Sequence, residues 1–181
     1  MNFYSCRIKY GDLIFSSVEA AFQAAKCAVP ADMIPFQGYS PSEAKARGRK
    51  VSLRSDWEQY KVSIMRELLH NKFQTNPELL GQLLKTGDAV LIETNNWHDN
   101  FWGNCSCPRC QSIPGKNVLG ELLMQIRNTY LSRRKIKKTA HENRSPDANP
   151  QYMGITLDFS KLLSKDEILQ YLEENGATDR T

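Results

Sequence analysis

Ser16-Ser17-Val18-Glu19-Ala20-Ala21-Phe22-Gln23-Ala24-Ala25-Lys26 is the stretch around which the rest of the chain can be arranged. Its alanines favour a helix and leave little bulk beside the polar positions. Ser16 is placed to cap the first turn, with Glu19 three residues on as the reciprocal partner of a capping box. Val18, Ala21, Phe22 and Ala25 follow the 3–4 spacing of a buried stripe. Glu19, Gln23 and Lys26 stand at i, i+4 and i+7, so all three leave the helix on one side, next to that stripe. A carboxylate, an amide and an amine on a small-residue helix can floor a polar pocket. The plainer alternative is a capping Glu and a solvated Lys.

Working outward, residues 2–15 read as two short strands about the turn pair Gly11-Asp12. After the helix, 30–39 reads as irregular with one short turn of helix. Ser40-Pro41-Ser42-Glu43 is a strong helix start, with Ser at the cap, Pro at the first position and Glu closing the box; that helix should stop near Gly48. Ser55-Asp56-Trp57-Glu58 repeats the capping pattern and opens the longest helix, 56–73, with a core stripe of Trp57, Tyr60, Ile64, Leu68 and Leu69. A further helix follows Asn76-Pro77-Glu78 and closes at Thr86-Gly87. Ala89-Val90-Leu91-Ile92-Glu93 is short and β-branched, which predicts a strand buried on both faces and leading into the long loop 95–116. Asn117 caps a last core helix through Leu119, Leu122, Leu123, Ile126 and Tyr130.

Length and composition narrow the classes. With 181 residues, 40% hydrophobic and 24% charged, the chain reads as a globular domain with an appendage. No apolar run reaches membrane-spanning length and the first residues lack a signal-peptide core, so a cytoplasmic protein with no membrane partner is expected. A net charge of +4 permits a phosphate-bearing partner without demanding one. The expected divisions are a domain over 1–131, a basic and polar linker over 132–151 beginning with Arg133-Arg134-Lys135-Ile136-Lys137-Lys138, and a strand–helix appendage over 152–181.

Two clusters can carry chemistry. Trp97, Phe101 and Trp102 surround Asp99 directly after the predicted strand, where side chains on a rigidly held backbone suit a flat base and a sugar; the alternative is core tryptophans and an Asp that shapes a turn. Lys45, Arg47, Arg49, Lys50 and Arg54 crowd around one helix end, as a phosphate or diphosphate requires, or as an ordinary solvated face. Five cysteines is an odd number, and Cys105-x-Cys107-x-x-Cys110 does not suit a disulfide scaffold. With His98 as the nearest fourth ligand, these three match the corners of a structural zinc site; free thiols are the alternative.

Several motifs then fall in order: Glu19-x-x-Phe22-Gln23-x-x-Lys26, Ser42-Glu43-Ala44 with Gly48-Arg49, Asp56-Trp57, Met65, Lys72-Phe73, Leu84-x-Thr86-Gly87-Asp88, Ile92-Glu93, Asp99-x-x-Trp102-Gly103 and Gly115-x-Asn117-x-Leu119-Gly120-x-x-Leu123-Met124-x-x-Arg127. In this order they resemble the NADAR family, the YbiA-like N-glycosidases, over residues 2–131. The sequence departs from the family pattern at Ala20, where members often carry His or Tyr, and at Asn2-Phe3-Tyr4, where an upstream strand is usual.

The resemblance implies an α+β, mostly helical single domain whose chemistry needs no cofactor. It implies hydrolysis of N-glycosidic bonds to phosphorylated ribose, with two substrate classes: ADP-ribose linked to guanine in nucleic acid, and phosphoribosylamino-pyrimidine intermediates of riboflavin synthesis. A non-catalytic module that binds ADP-ribose or a nucleotide is the alternative. Glu19 is the expected stabiliser of an oxocarbenium-like transition state and Asp99 the expected general base or second ribose ligand. Lys26 either holds phosphate or attacks C1′ to give an imine. Gln23, Arg49, Trp97, Trp102, Gly103, Asn117 and Arg127 are the expected substrate contacts.

Overall fold

The hairpin forms where Gly11 supplies a left-handed residue (φ +57°) between β1 (Ile8–Tyr10) and β2 (Leu13–Phe15), which pair antiparallel with Ile8 opposite Phe15. This computed structural model describes residues 2–110 and 112–142. Ile8 and Phe15 point inward and are buried, so the hairpin closes one edge of the core. α1 (Val18–Ala24) follows at once, and every residue in it is buried. Its cap is Ser17, whose hydroxyl accepts from the Ala20 N–H at 3.0 Å, rather than Ser16. The expected capping box is therefore absent here, and the Glu19 carboxylate is turned to another use.

The segment 30–39 contains a 3₁₀ helix over Pro30–Gly38, more regular than the sequence predicts. α2 (Pro41–Gly48) carries the full capping box between Ser40 and Glu43. α3 (Trp57–Thr75) and α4 (Pro77–Lys85) match their predicted spans to within a few residues. Ile64, Met65, Leu68, Leu69 and Phe73 of α3 pack with Val18, Ala21 and Phe22 of α1 and with Leu119, Leu122, Leu123 and Ile126 of α5 (Val118–Glu142) in one continuous core.

Two expectations are corrected. The predicted buried strand at 89–93 is an irregular connector without strand partners among the described residues, and Val90 (73% exposed) and Ile92 (54%) face solvent. Side chains satisfy much of its backbone, while the Glu93 carbonyl accepts the Asn104 N–H at 2.7 Å. Asn117 donates Nδ2–H to the Leu91 carbonyl (2.8 Å) and accepts the Glu93 N–H on Oδ1 (2.9 Å), while the Leu91 N–H meets the Met124 sulfur at 3.5 Å. Among the described residues the only pairing after it is a two-residue parallel ladder, β3 (Thr94–Asn95) with β4 (Asn104–Cys105), which folds the long loop back on itself.

Secondly, Arg133, Arg134, Lys135 and Ile136 lie on α5, which runs to Glu142 without a break where a linker is predicted from 132. Lys and Arg are good helix formers and carry the helix on past its last core contact. The rest of the predicted linker and the 152–181 appendage lie outside the described residues. Among the described residues no helix is long and apolar enough to cross a membrane.

Candidate active site

α1 places its polar stripe in the interior. Glu19 is 6% exposed and Gln23 5%. The Gln23 Nε2–H donates to Glu19 Oε1 at 2.8 Å, so the amide fixes the carboxylate's orientation. The amide is itself wedged against α2, because Gly48 has no side chain: a Cβ there would lie 1.9 Å from Gln23 Oε1. Burial raises the Glu19 pKa above the ordinary carboxylate range, opposed by the Gln23 hydrogen bond and by the charges of Lys45 and Lys26. Lys26 is half-buried just past the end of α1, and its pKa is lowered by burial and by the like charges of Arg49 and Lys45, with Glu19 acting the other way. Glu19, Gln23, Lys26, Lys45 and Arg49 are thus brought into one electrostatic neighbourhood. Lys45 is the member that sequence reasoning left among the solvated basic residues, since nothing in the spacing marked it off from Arg47 or Lys50.

An aromatic wall stands over this group. Phe22, on α1, packs against Trp57 (centroids 5.0 Å apart) and edge-on against Trp102 (5.3 Å, 88°), which in turn meets Phe101 (5.1 Å, 87°). The Lys26 ammonium lies 5.7 Å from the Trp57 ring and 5.8 Å from Phe22. Trp97 is 54% exposed, and its ring lies 4.5 Å from the Lys45 ammonium. Trp57 reads from its helical period as core. It is buried, and it also joins this wall.

Other predicted site residues make contacts within the loop and between the helices. Asp99 Oδ1 accepts the N–H groups of Phe101 (3.1 Å) and Trp102 (2.8 Å), a tight turn that aims the Trp102 ring at Phe22. Gly103 lets the loop backbone pass close to the connector; a Cβ there would lie 2.3 Å from the Glu93 carbonyl oxygen. Asn117, in the left-handed region (φ +50°), clips the connector to α5 as described above. Arg127 is 3% exposed and donates from Nη1 to Thr86 Oγ1 and to the Ala89 carbonyl, both at 2.8 Å. It braces the end of α4 against α5. The structure shows no joining of Gly103, Asn117 or Arg127 to Glu19.

The result is a small α+β domain with a buried, hydrogen-bonded carboxylate, a desolvated amine and an indole wall built by two helices and a returning loop. The NADAR domain model matches residues 2–130, and the chain belongs to the NADAR family. An N-glycosidase of Nostoc punctiforme is 39% identical over 132 residues, covering 70% of this chain and 81% of that protein. The N-glycosidase YbiA of Escherichia coli is 34% identical over 143 residues, covering 70% and 86%. The NMR structure of E. coli YbiA superimposes with a TM-score of 0.63 at 33% identity, covering 75% of this chain and 78% of that one. The riboflavin biosynthesis protein PYRR of Arabidopsis thaliana, a chloroplastic protein, is 41% identical over 98 residues, which is 51% of this chain and 15% of that much longer protein.

Proposed function

We infer that this chain is a hydrolase acting on N-glycosyl compounds, and that its substrate is a ribosyl N-glycoside carrying phosphate. Family membership and relatives named as N-glycosidases support the reaction class. The observation that carries the mechanism is the buried Glu19 carboxylate, oriented by Gln23 and sharing its surroundings with the Lys26 charge, on the helix whose Phe22 meets Trp102.

Breaking the C1′–N bond builds positive charge on the anomeric carbon. A preorganised carboxylate in a dry setting stabilises that charge far better than one in water, where the solvent must reorganise. Glu19 supplies it. Lys26, its amine disposed toward the neutral form by burial and neighbouring cations, is the nucleophile: Nζ bonds to C1′ as the bond to the base breaks and the base leaves with a proton. The C1′–O4′ bond then breaks, O4′ taking the second Nζ proton, to leave a ring-opened imine, and water hydrolyses that imine to the free aldehyde and the Lys26 amine. Trp102 and Trp97 wall the base and sugar, and Arg49 and Lys45 lie where a 5′-phosphate or diphosphate needs positive charge. Asp99 keeps the Trp102 turn in place, and Asp99→Asn tests whether it also acts as a base.

Of the two substrate classes, ADP-ribosylated guanine in nucleic acid is favoured by Arg133, Arg134 and Lys135, which stand exposed on α5 and suit a polyanion. The phosphoribosylamino-pyrimidine class is supported by the printed names of the riboflavin-related relatives. Incubation with ADP-ribosylated guanine DNA and, separately, with a phosphoribosylamino-pyrimidine separates them by which one releases free ADP-ribose or ribose phosphate. Release lost in Glu19→Gln supports the enzyme. Tight binding of either compound with no release supports a non-catalytic binding module instead.

A further inference from the structure

The loop that carries Trp102 contains a second cluster that glycoside chemistry does not use. Cys105, Cys107 and Cys110 are buried and form a patch of their own, separate from the main core. His98 joins them: its Nδ1 lies 3.0 Å from Cys107 Sγ and 3.5 Å from Cys110 Sγ, and its backbone N–H donates to Cys105 Sγ at 3.3 Å. One ligand atom from each of the four lies within 4.8 Å of every other. All five cysteines of the chain are free thiols, so no disulfide accounts for the convergence.

We propose that His98, Cys105, Cys107 and Cys110 hold one structural Zn²⁺ ion. A tetrahedral zinc with Zn–S bonds of about 2.3 Å has ligand–ligand edges of about 3.8 Å, close to the spacing of these atoms before any adjustment. The local backbone has the form such a site needs. Cys107-x-x-Cys110 closes a tight turn, with the Cys110 N–H on the Cys107 carbonyl at 2.9 Å, and an N–H aimed at a sulfur stabilises its thiolate. His98 holds a left-handed backbone (φ +68°), a conformation uncommon outside glycine, and it turns Nδ1 onto the two sulfurs. Four protein ligands leave no open position, so the ion is structural and takes no part in activating water.

Binding releases the thiol protons to solvent, with no change of oxidation state. Its consequence is local. Asn100 accepts the Cys105 N–H (2.8 Å), and Asn95 bonds through both side-chain ends with the Asp99 backbone. A fixed metal lobe therefore fixes the turn that places Trp102. That last step rests on the functional reading above, whereas metal binding stands apart from it.

The test uses the full chain purified without chelator. Elemental analysis is expected to give about one zinc per chain, released when a mercurial blocks the thiols. Cobalt substitution should give a tetrahedral visible spectrum with sulfur-to-cobalt charge transfer. His98→Cys should keep the metal and strengthen that band, whereas Cys110→Ser should lower occupancy. Cys6→Ser and Cys27→Ser should leave both unchanged. Stripping the metal should remove hydrogen-exchange protection from amides 97–110 and leave α3 protected. Protein with no stoichiometric metal, with all three loop thiols reacting freely or two of them in a disulfide, overturns the proposal, as does metal loss in the Cys6 or Cys27 variants. If neither glycoside is hydrolysed, these readouts decide the metal site all the same.

Discussion

Gly48→Ala tests the idea that the candidate site is held from α2 through an amide. The added methyl would lie 1.9 Å from Gln23 Oε1, 2.7 Å from its Cδ and 2.9 Å from its Cβ. Reaching ordinary van der Waals separation needs a retreat of about 1.5 Å at the oxygen, and the close Cβ contact means that rotating the amide tip alone does not relieve the clash. Overpacking of this kind costs about 1–3 kcal/mol. The displaced amide also gives up its 2.8 Å hydrogen bond to a buried carboxylate, worth about 1.5–3 kcal/mol. Replacing a helical glycine by alanine returns up to about 1 kcal/mol. The expected net loss is about 2–4 kcal/mol in denaturant unfolding, with kcat falling more than KM changes, since the carboxylate's orientation matters most in the transition state.

The cycle with Gln23→Ala makes the inference specific. If the amide is the transmitter, Gly48→Ala on the Gln23→Ala background should cost about half as much, because only the 2.9 Å contact with the Cβ remains; the coupling is then about 1–2 kcal/mol, while turnover stays low in both. A Gly48→Ala protein with unchanged stability and turnover, or additive effects in the cycle, refutes the reasoning.

Glu19→Gln should abolish turnover yet stabilise the fold by about 1 kcal/mol at neutral pH. The sign follows from the raised pKa: the folded state binds a proton on Glu19 more tightly than the unfolded chain. This contribution to stability is present below the unfolded pKa and is lost as pH rises through the folded value, leaving a buried charge at neutrality that Gln removes. The pH–rate profile separates the two roles of Lys26. Its lowered pKa makes an imine route rise with pH through both the Glu19 and Lys26 ionisations, whereas a phosphate-binding lysine loses activity as it deprotonates; a reduced adduct on Lys26 after borohydride trapping under turnover supports the first. Asp99→Asn keeps the acceptor for the Phe101 and Trp102 amides and should retain most turnover, while Asp99→Ala should lose at least tenfold, about 1.4 kcal/mol; equal collapse in both makes Asp99 a base.

The helices were legible because their signals are local. The Ser40 and Glu43 box, the Trp57–Leu69 stripe and the proline starts each act within a turn or two, and the structure follows them. Glu19 and Gln23 were legible as one face of α1, although the helix ends before Lys26; their depth was not, since Ser16 and Ser17 offer the same cap and only the packing selects Ser17. The connector at 89–93 misled because a β-branched apolar run signals a strand only when partner strands exist; here Asn117 and Met124, far along the chain, take their place. Arg127 and Asn117 sit inside the family motif, yet their contacts are internal braces. A motif records that a residue type is needed without saying whether substrate or scaffold needs it. Lys45 joined the site only through the crossing of α2 over α1, which no local pattern encodes.

The Glu19 backbone N–H donates to the Asn2 carbonyl at 3.2 Å, so the beginning of the described chain is stitched to the same helix turn that carries the candidate carboxylate. Any fusion partner or affinity tag attached at that end pulls on this stitch, one hydrogen bond away from the candidate carboxylate's own residue. Recombinant material meant for kinetics is better served by a handle at the opposite terminus, and a tag cleaved to leave a few extra residues should be compared with one that leaves none.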